Sequence, residues 1–136
     1  MATPRSLLVD PANSGVFHCV TRCVRRAFLC GRDPYSGQDY EHRRAWVRER
    51  LRELAGIFAV EVHAYAVMSN HLHLVVRTLP GRAGDWSDGE VARRWLCLFP
   101  GKQGKRGLPP GEDAILSLCD DSKKLATCRA RLADLS

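Results

Sequence analysis

Two histidines stand two positions apart in the middle of the chain, His71 and His73, with Leu72 between them. On a strand, residues two apart point to the same face, so their imidazoles would project side by side. Such a pair can hold one divalent cation and leave positions open for a substrate. Upstream, Val60, Val62, Ala64 and Ala66 alternate with Glu61, His63, Tyr65 and Val67. Downstream, the Leu74-Val75-Val76 run looks buried, and Met68-Ser69-Asn70 between the two segments is turn chemistry. Period-two patterning on both sides of a short turn predicts an antiparallel hairpin over residues 60–77. His63 on the partner strand could support the metal ligands, and His18 could approach from further upstream. Either one, joined to His71 and His73, would resemble a three-histidine zinc site with an open position, whereas Cys19 or Cys23 would make the site structural.

The elements that must position this hairpin come before it. Residues 15–24 (GVFHCVTRCV) alternate as a first strand, with Cys19 and Cys23 on one face. Turn residues follow at Asp33-Pro34 and Ser36-Gly37, and Asp39 can cap a helix. That helix is predicted over 40–58, because Tyr40, Val47, Leu51, Leu54 and Phe58 recur at helical spacing. The rest of its surface is crowded with arginines, read as a solvated face. Strand, helix, strand, strand is the opening of a ferredoxin-like α+β unit.

Beyond Thr78 the pattern changes. Ser87-Asp88-Gly89-Glu90 is a capping box that opens a short helix through Val91, Trp95, Leu96 and Phe99. Trp86, Trp95 and Phe99 are aromatics that could stack on bases, although core packing is the commoner fate of such spacing. Residues 100–111 (PGKQGKRGLPPG) form a basic Gly/Pro linker, and helical pieces follow over 112–119 and 122–135. The organisation predicted is an N-terminal arm (1–14), a βαββ core (15–79) and a helical extension (80–136). The last apolar period runs to the final residue, which predicts a chain cut from a longer protein or a decayed copy of one.

A chain of 136 residues suits one domain with a single core. Its net charge of +6, mostly from arginine, favours an anionic partner such as nucleic acid. The N-terminus has no apolar run of signal-peptide type, and no stretch approaches a membrane span. Six cysteines without a Cys-x-x-Cys pair read as reduced, buried residues of a cytoplasmic protein.

The string Ala64-Tyr65-Ala66-Val67-Met68-Ser69-Asn70-His71-Leu72-His73-Leu74 resembles the signature of the single-tyrosine HUH transposases, whose name denotes histidine–hydrophobic–histidine. Within them it is most similar to the REP-associated tyrosine transposases. Phe17-His18-Cys19-Val20-Thr21-Arg22, followed by Arg25-Arg26-Ala27-Phe28, is similar to the family's opening strand and basic exit. Ser69 departs from the pattern, which has proline before the asparagine, and this substitution loosens the turn.

The resemblance covers roughly residues 16–77 and implies a ferredoxin-like fold. It also implies a Mg²⁺ or Mn²⁺ ion held by His71 and His73, with Asn70 shaping the turn beside them. Arg22, Arg25 and Arg26 would touch DNA phosphate. The expected partner is single-stranded or hairpin DNA, cleaved and rejoined through a tyrosine nucleophile, with a homodimer as one working form.

The nucleophile is the gap. The tyrosines are Tyr35, Tyr40 and Tyr65, and none follows Arg77. Tyr65 lies within the matched string, where the family has a structural residue, and is a weak candidate. Two other classes stay open. One is a non-catalytic nucleic-acid module using the same sheet as a platform, and the other is a zinc protein.

Overall fold

The computed structural model describes residues 3–4, 7–25, 27–102 and 104–135. In chain order the elements are β1 (Val16–Arg22), α1 (His42–Ile57), β2 (Val60–Val67), β3 (His71–Thr78), α2 (Pro80–Asp85), α3 (Asp88–Leu98), α4 (Glu112–Asp120) and α5 (Ser122–Ala133). They fall into two units. A sheet unit holds Val16–Gly56 and Val60–Arg77, and a helical unit holds Met1–Gly15, Ile57–Ala59 and Thr78–Ser136.

The sheet unit is an antiparallel α+β arrangement with strand order β1-β3-β2. With α1 between β1 and β2, this order is compatible with the first half of a ferredoxin-like unit. β1 pairs with β3 so that Val16 lies opposite Arg77, Val20 opposite His73 and Arg22 opposite His71.

α1 starts at His42, two residues later than the apolar spacing predicts. The Asp39 carboxylate accepts the Glu41 N–H at 2.8 Å and holds that segment as a turn. Tyr40 therefore precedes the helix instead of joining its stripe, and the Arg43 guanidinium stacks 4.1 Å from the centre of its ring. Val47, Leu51 and Leu54 make the stripe but are only half-buried.

Among the described residues of this unit, only Cys30, Val67 and Val76 are buried. The Leu74-Val75-Val76 run is thus buried at Val76 alone. The expectation of buried cysteines holds at Cys30 and Cys128, whereas Cys19 is exposed on β1, a strand at the margin of the sheet. All six thiols are free.

The helical unit packs differently. Val91, Ala92 and Leu98 of α3, Ile115 and Leu118 of α4, and Leu125, Cys128 and Leu132 of α5 are all buried. Ser87 caps α3 by accepting the Glu90 N–H at 3.2 Å. The other half of the predicted box is replaced, since Glu90 turns its carboxylate to Arg94 at 2.7 Å. Asp121 caps α5 through the Lys124 N–H at 3.0 Å.

α2 falls where the sequence reads as loop. Pro80 suits a first helical turn, and Arg129 supplies what Gly81 and Gly84 weaken. Its guanidinium donates to the carbonyls of Ala83 and Trp86, both at 2.6 Å, and pairs with Asp88 at 2.8 Å.

The unit boundary also differs from the predicted 15–79 and 80–136 division. Ala59 donates to the Leu132 carbonyl and accepts from Leu79, both at 2.9 Å, which draws Ile57–Ala59 into the helical unit. Thr78, 2% exposed, donates its backbone N–H to the Gly15 carbonyl at 2.9 Å, and its hydroxyl accepts the Gly15 N–H at 3.0 Å.

Candidate functional site

The β1–β3 register collects the sheet histidines. Directly paired residues, and those two positions away, share a face of the sheet. His18, Val20, Arg22, His71, His73 and Val75 therefore lie on one side. The His18 and His73 rings stack with centres 5.1 Å apart and planes 21° from parallel, and His18 Nε2 lies 2.9 Å from His73 Nδ1. His71 meets His73 edge-on at 4.8 Å between ring centres. Three imidazoles thus form a row. The face around them is open, with Val16 60% and Val20 52% exposed.

A hydrogen bond settles which nitrogen of His71 keeps its lone pair. Asn70 Oδ1 lies 2.6 Å from His71 Nδ1 and can only accept, so Nδ1 carries the proton and Nε2 keeps its lone pair. This tautomer follows from the bonding network. The bond between His18 and His73 likewise occupies His73 Nδ1. With that nitrogen as donor, the His73 lone pair also sits on Nε2. Burial above all, then the charges of His71, His18 and Arg22, holds His73 below the ordinary 6.5. The neutral imidazole, the form that ligates metals, is favoured accordingly.

The turn bearing Asn70 is fixed from outside the hairpin. The Ser69 carbonyl accepts N–H groups from Leu29 at 2.5 Å and Cys30 at 3.2 Å, and the Asn70 carbonyl accepts from Cys23 at 2.8 Å. The Cys30 thiol donates to the Met68 carbonyl at 3.1 Å. Cys23, Leu29 and Cys30 thus hold the turn from outside the hairpin, through bonds that the residue at position 69 does not reveal.

The remaining predicted residues are distributed unevenly. Arg22 shares the histidine face, opposite His71. Arg25 follows in an exposed turn with φ 55, in the left-handed region, and Arg26 lies outside the described residues. His63 and Tyr65 are not brought to the histidine row. Met68 donates to the His71 carbonyl at 2.8 Å, and this pairing, continued along the hairpin, sets Ala66 beside His73 and Tyr65 beside Leu74 on the opposite face. His63 instead lies 3.6 Å from Glu61 and, with Tyr65, lines a cleft against α1. As an aid to the metal ligands His63 is therefore displaced by His18, and Tyr65 is on the wrong face to act as nucleophile there. The sequence weighed His18 and His63 alike, because register between strands distant in sequence cannot be read from either strand. Arg48 and Arg52, which the sequence places among the arginines of a solvated helix face, line the cleft from α1.

The donor set fits a divalent cation in part. His71 and His73 offer two imidazoles whose Nδ1 atoms are each engaged in a hydrogen bond, the kind of arrangement metal-binding histidines use. Among the described residues, no group of three or more His, Cys, Asp or Glu side chains is disposed to hold a metal ion. The pair would thus leave most coordination positions to water or substrate oxygen, and imidazole suits Mn²⁺ better than Mg²⁺.

No protein-family model matches the chain, and no curated protein or solved structure matches it significantly. Among the described residues, no helix is long and apolar enough to cross a membrane.

Proposed function

We propose that the chain binds single-stranded or hairpin DNA across the open face of its sheet and holds a divalent cation there between His71 and His73. On this reading it is the DNA-binding half of a strand-cleaving and rejoining site of the single-tyrosine HUH type. The supporting observation is the hydrogen bond from His71 Nδ1 to Asn70 Oδ1, which aims a lone pair away from the turn. Arg22, on the same face, would take phosphate through its planar guanidinium. Exposed Val16 and Val20 give bases and sugars an apolar floor. A bound cation would polarise phosphate oxygens. Because Tyr65 belongs to the other face, the histidine row is a binding and orienting site, and strand cleavage needs a tyrosine that reaches it from elsewhere.

Calorimetric titration of Mn²⁺ tests this without any guess about DNA sequence. Saturable binding to the wild-type chain, abolished in His71→Ala/His73→Ala, is expected. Zinc binding that survives the double variant would implicate the cysteines and overturn the site. A metal-independent platform is the second reading, favoured by the lack of a third metal donor among the described residues. It predicts single-strand binding unchanged by chelator and steeply weakened by salt.

A further inference from the structure

The arginines of α1 are not equivalent. Arg43 stacks on Tyr40, Arg44 pairs with Glu41 at 2.6 Å, and Arg50 pairs with Glu53 at 2.6 Å. The side chains of Arg48 and Arg52 make no hydrogen bond or ion pair among the described residues. These two sit one helical turn apart and therefore on one stripe of the helix. Leu51 and Ala55 continue that stripe, and together the four line one wall of a cleft of about 460 Å³. The opposite wall is β2, where His63 and Tyr65 stand two residues apart on one face. Tyr65 is 44% exposed, so its ring is open to a ligand. Glu61 lies beside His63 at 3.6 Å.

Two unpaired guanidiniums held close together repel one another unless an anion lies between them. Their planar donors match phosphate oxygens. Next to them the cleft offers a phenol ring and aliphatic side chains, a surface for a flat heterocycle. The volume lies within the range of ordinary small-ligand sites.

We propose that the α1–β2 cleft binds a nucleotide, its phosphate held by Arg48 and Arg52 and its base resting on Tyr65. The nucleotide is either free or one unit of a single strand. This site uses no residue of the histidine row and stands apart from the DNA-binding reading given above.

Deoxyadenosine 5′-monophosphate, deoxyadenosine, inorganic phosphate and a tetrathymidylate serve as probes, titrated into the intact chain by calorimetry. Saturable binding of the mononucleotide or the tetranucleotide is expected, tighter than that of inorganic phosphate or the nucleoside. Arg48→Gln/Arg52→Gln should weaken it about tenfold or more, the scale of lost charge-assisted bonds. Arg50→Gln, which removes an equal charge outside the cleft, should leave it unchanged. Tyr65→Ala should weaken binding and Tyr65→Phe should retain it, with circular dichroism confirming that each variant is folded.

A preference for the tetranucleotide assigns the cleft to a strand, and a preference for the mononucleotide to a free ligand. The proposal is overturned if neither probe binds saturably, or if phosphate alone binds as tightly. It is also overturned if Arg50→Gln weakens binding as much as the cleft variant does. Loss in His71→Ala/His73→Ala instead would move the nucleotide to the histidine face, so the two sites fail separately.

Discussion

The helical unit and the sheet unit spend their apolar residues in opposite ways. In the helical unit, α3, α4 and α5 each send their apolar positions into one core, including Val91 and Leu132 at 0% exposure. In the sheet unit, buried apolar residues are restricted to Cys30, Val67 and Val76 among those described, while Val16, Val20 and Tyr65 stay exposed. Arginine does not simply follow the units, since Arg44 and Arg50 of the sheet unit are paired with Glu41 and Glu53. Arg94 and Arg129 of the helical unit are tied to Glu90 and Asp88, whereas Arg48 and Arg52 of the sheet unit are left unpaired among the described residues. Side chains released from packing and pairing remain available to a ligand, and in this chain they gather on the sheet and its helix.

Truncation of a core residue in each unit gives the largest test of that contrast. Leu132→Ala should destabilise the chain by about 3 kcal/mol, the usual cost of a buried leucine cavity. Val76→Ala removes less from a thinner core and should cost about 1–2 kcal/mol. Urea midpoints measured on both variants decide the matter. Equal losses would mean that the sheet unit is packed as firmly as the helices and would end the comparison.

Asn70→Ala is next in size, and it acts on the site more than on the fold. The alanine cannot accept from His71 Nδ1, so the imidazole loses the partner that fixes its tautomer and orientation. Mn²⁺ affinity should fall by about tenfold or more, as for other partners of metal-binding histidines. Calorimetry reads the change directly. An unchanged affinity would show that the turn alone, held by Leu29, Cys30 and Cys23, positions the ring.

How much of this was legible beforehand depends on how local the cause is. Alternation around Val60–Val67 and the turn at Met68-Ser69-Asn70 announce the hairpin, because period-two patterning is a nearest-neighbour property. The cap at Ser87 and the apolar repeat of Leu125, Cys128 and Leu132 are equally local. The site is legible only in part. That His71 and His73 share a face follows from their spacing, but His18 joins them through a register set by strands separated by 55 positions. α2 escaped for the same reason, since its last carbonyls are satisfied by Arg129, far along the chain. The turn at Ser69 looks weak in sequence because the groups that bond to it, those of Cys23, Leu29 and Cys30, come from far upstream.

A change on the open face should register in binding while hardly touching stability. Val20, opposite His73, is 52% exposed and touches the proposed DNA path. Val20→Thr keeps β-branching and adds a hydroxyl that water can reach. Its stability should stay within about 0.5 kcal/mol of wild type, the range of ordinary surface substitutions. Single-strand affinity should drop measurably, because an apolar contact becomes a hydrated one. A stability loss comparable to that of Val76→Ala would show that this face is covered.

The smallest effect expected is a pH-dependent one at Glu41, where an anchored arginine of α1 can be set against the unanchored pair. The Arg44 guanidinium hydrogen-bonded to Glu41 holds its carboxyl below the ordinary 4.5, and Arg44 also donates to the Val67 carbonyl. A carboxyl whose folded value is depressed binds its proton less readily in the folded chain than in the unfolded one. Its contribution is therefore complete above pH 4.5 and fades as the pH falls through the folded value. Glu41→Gln should lower the urea midpoint slightly at pH 6 and match wild type once the carboxyl is protonated in both states. Both groups are exposed, so added salt should shrink the difference at pH 6 as well. Arg48→Gln, which breaks no pair among the described residues, should show no such pH dependence. If it does, Arg48 has a carboxylate partner, and the division of α1 into paired and unpaired arginines fails.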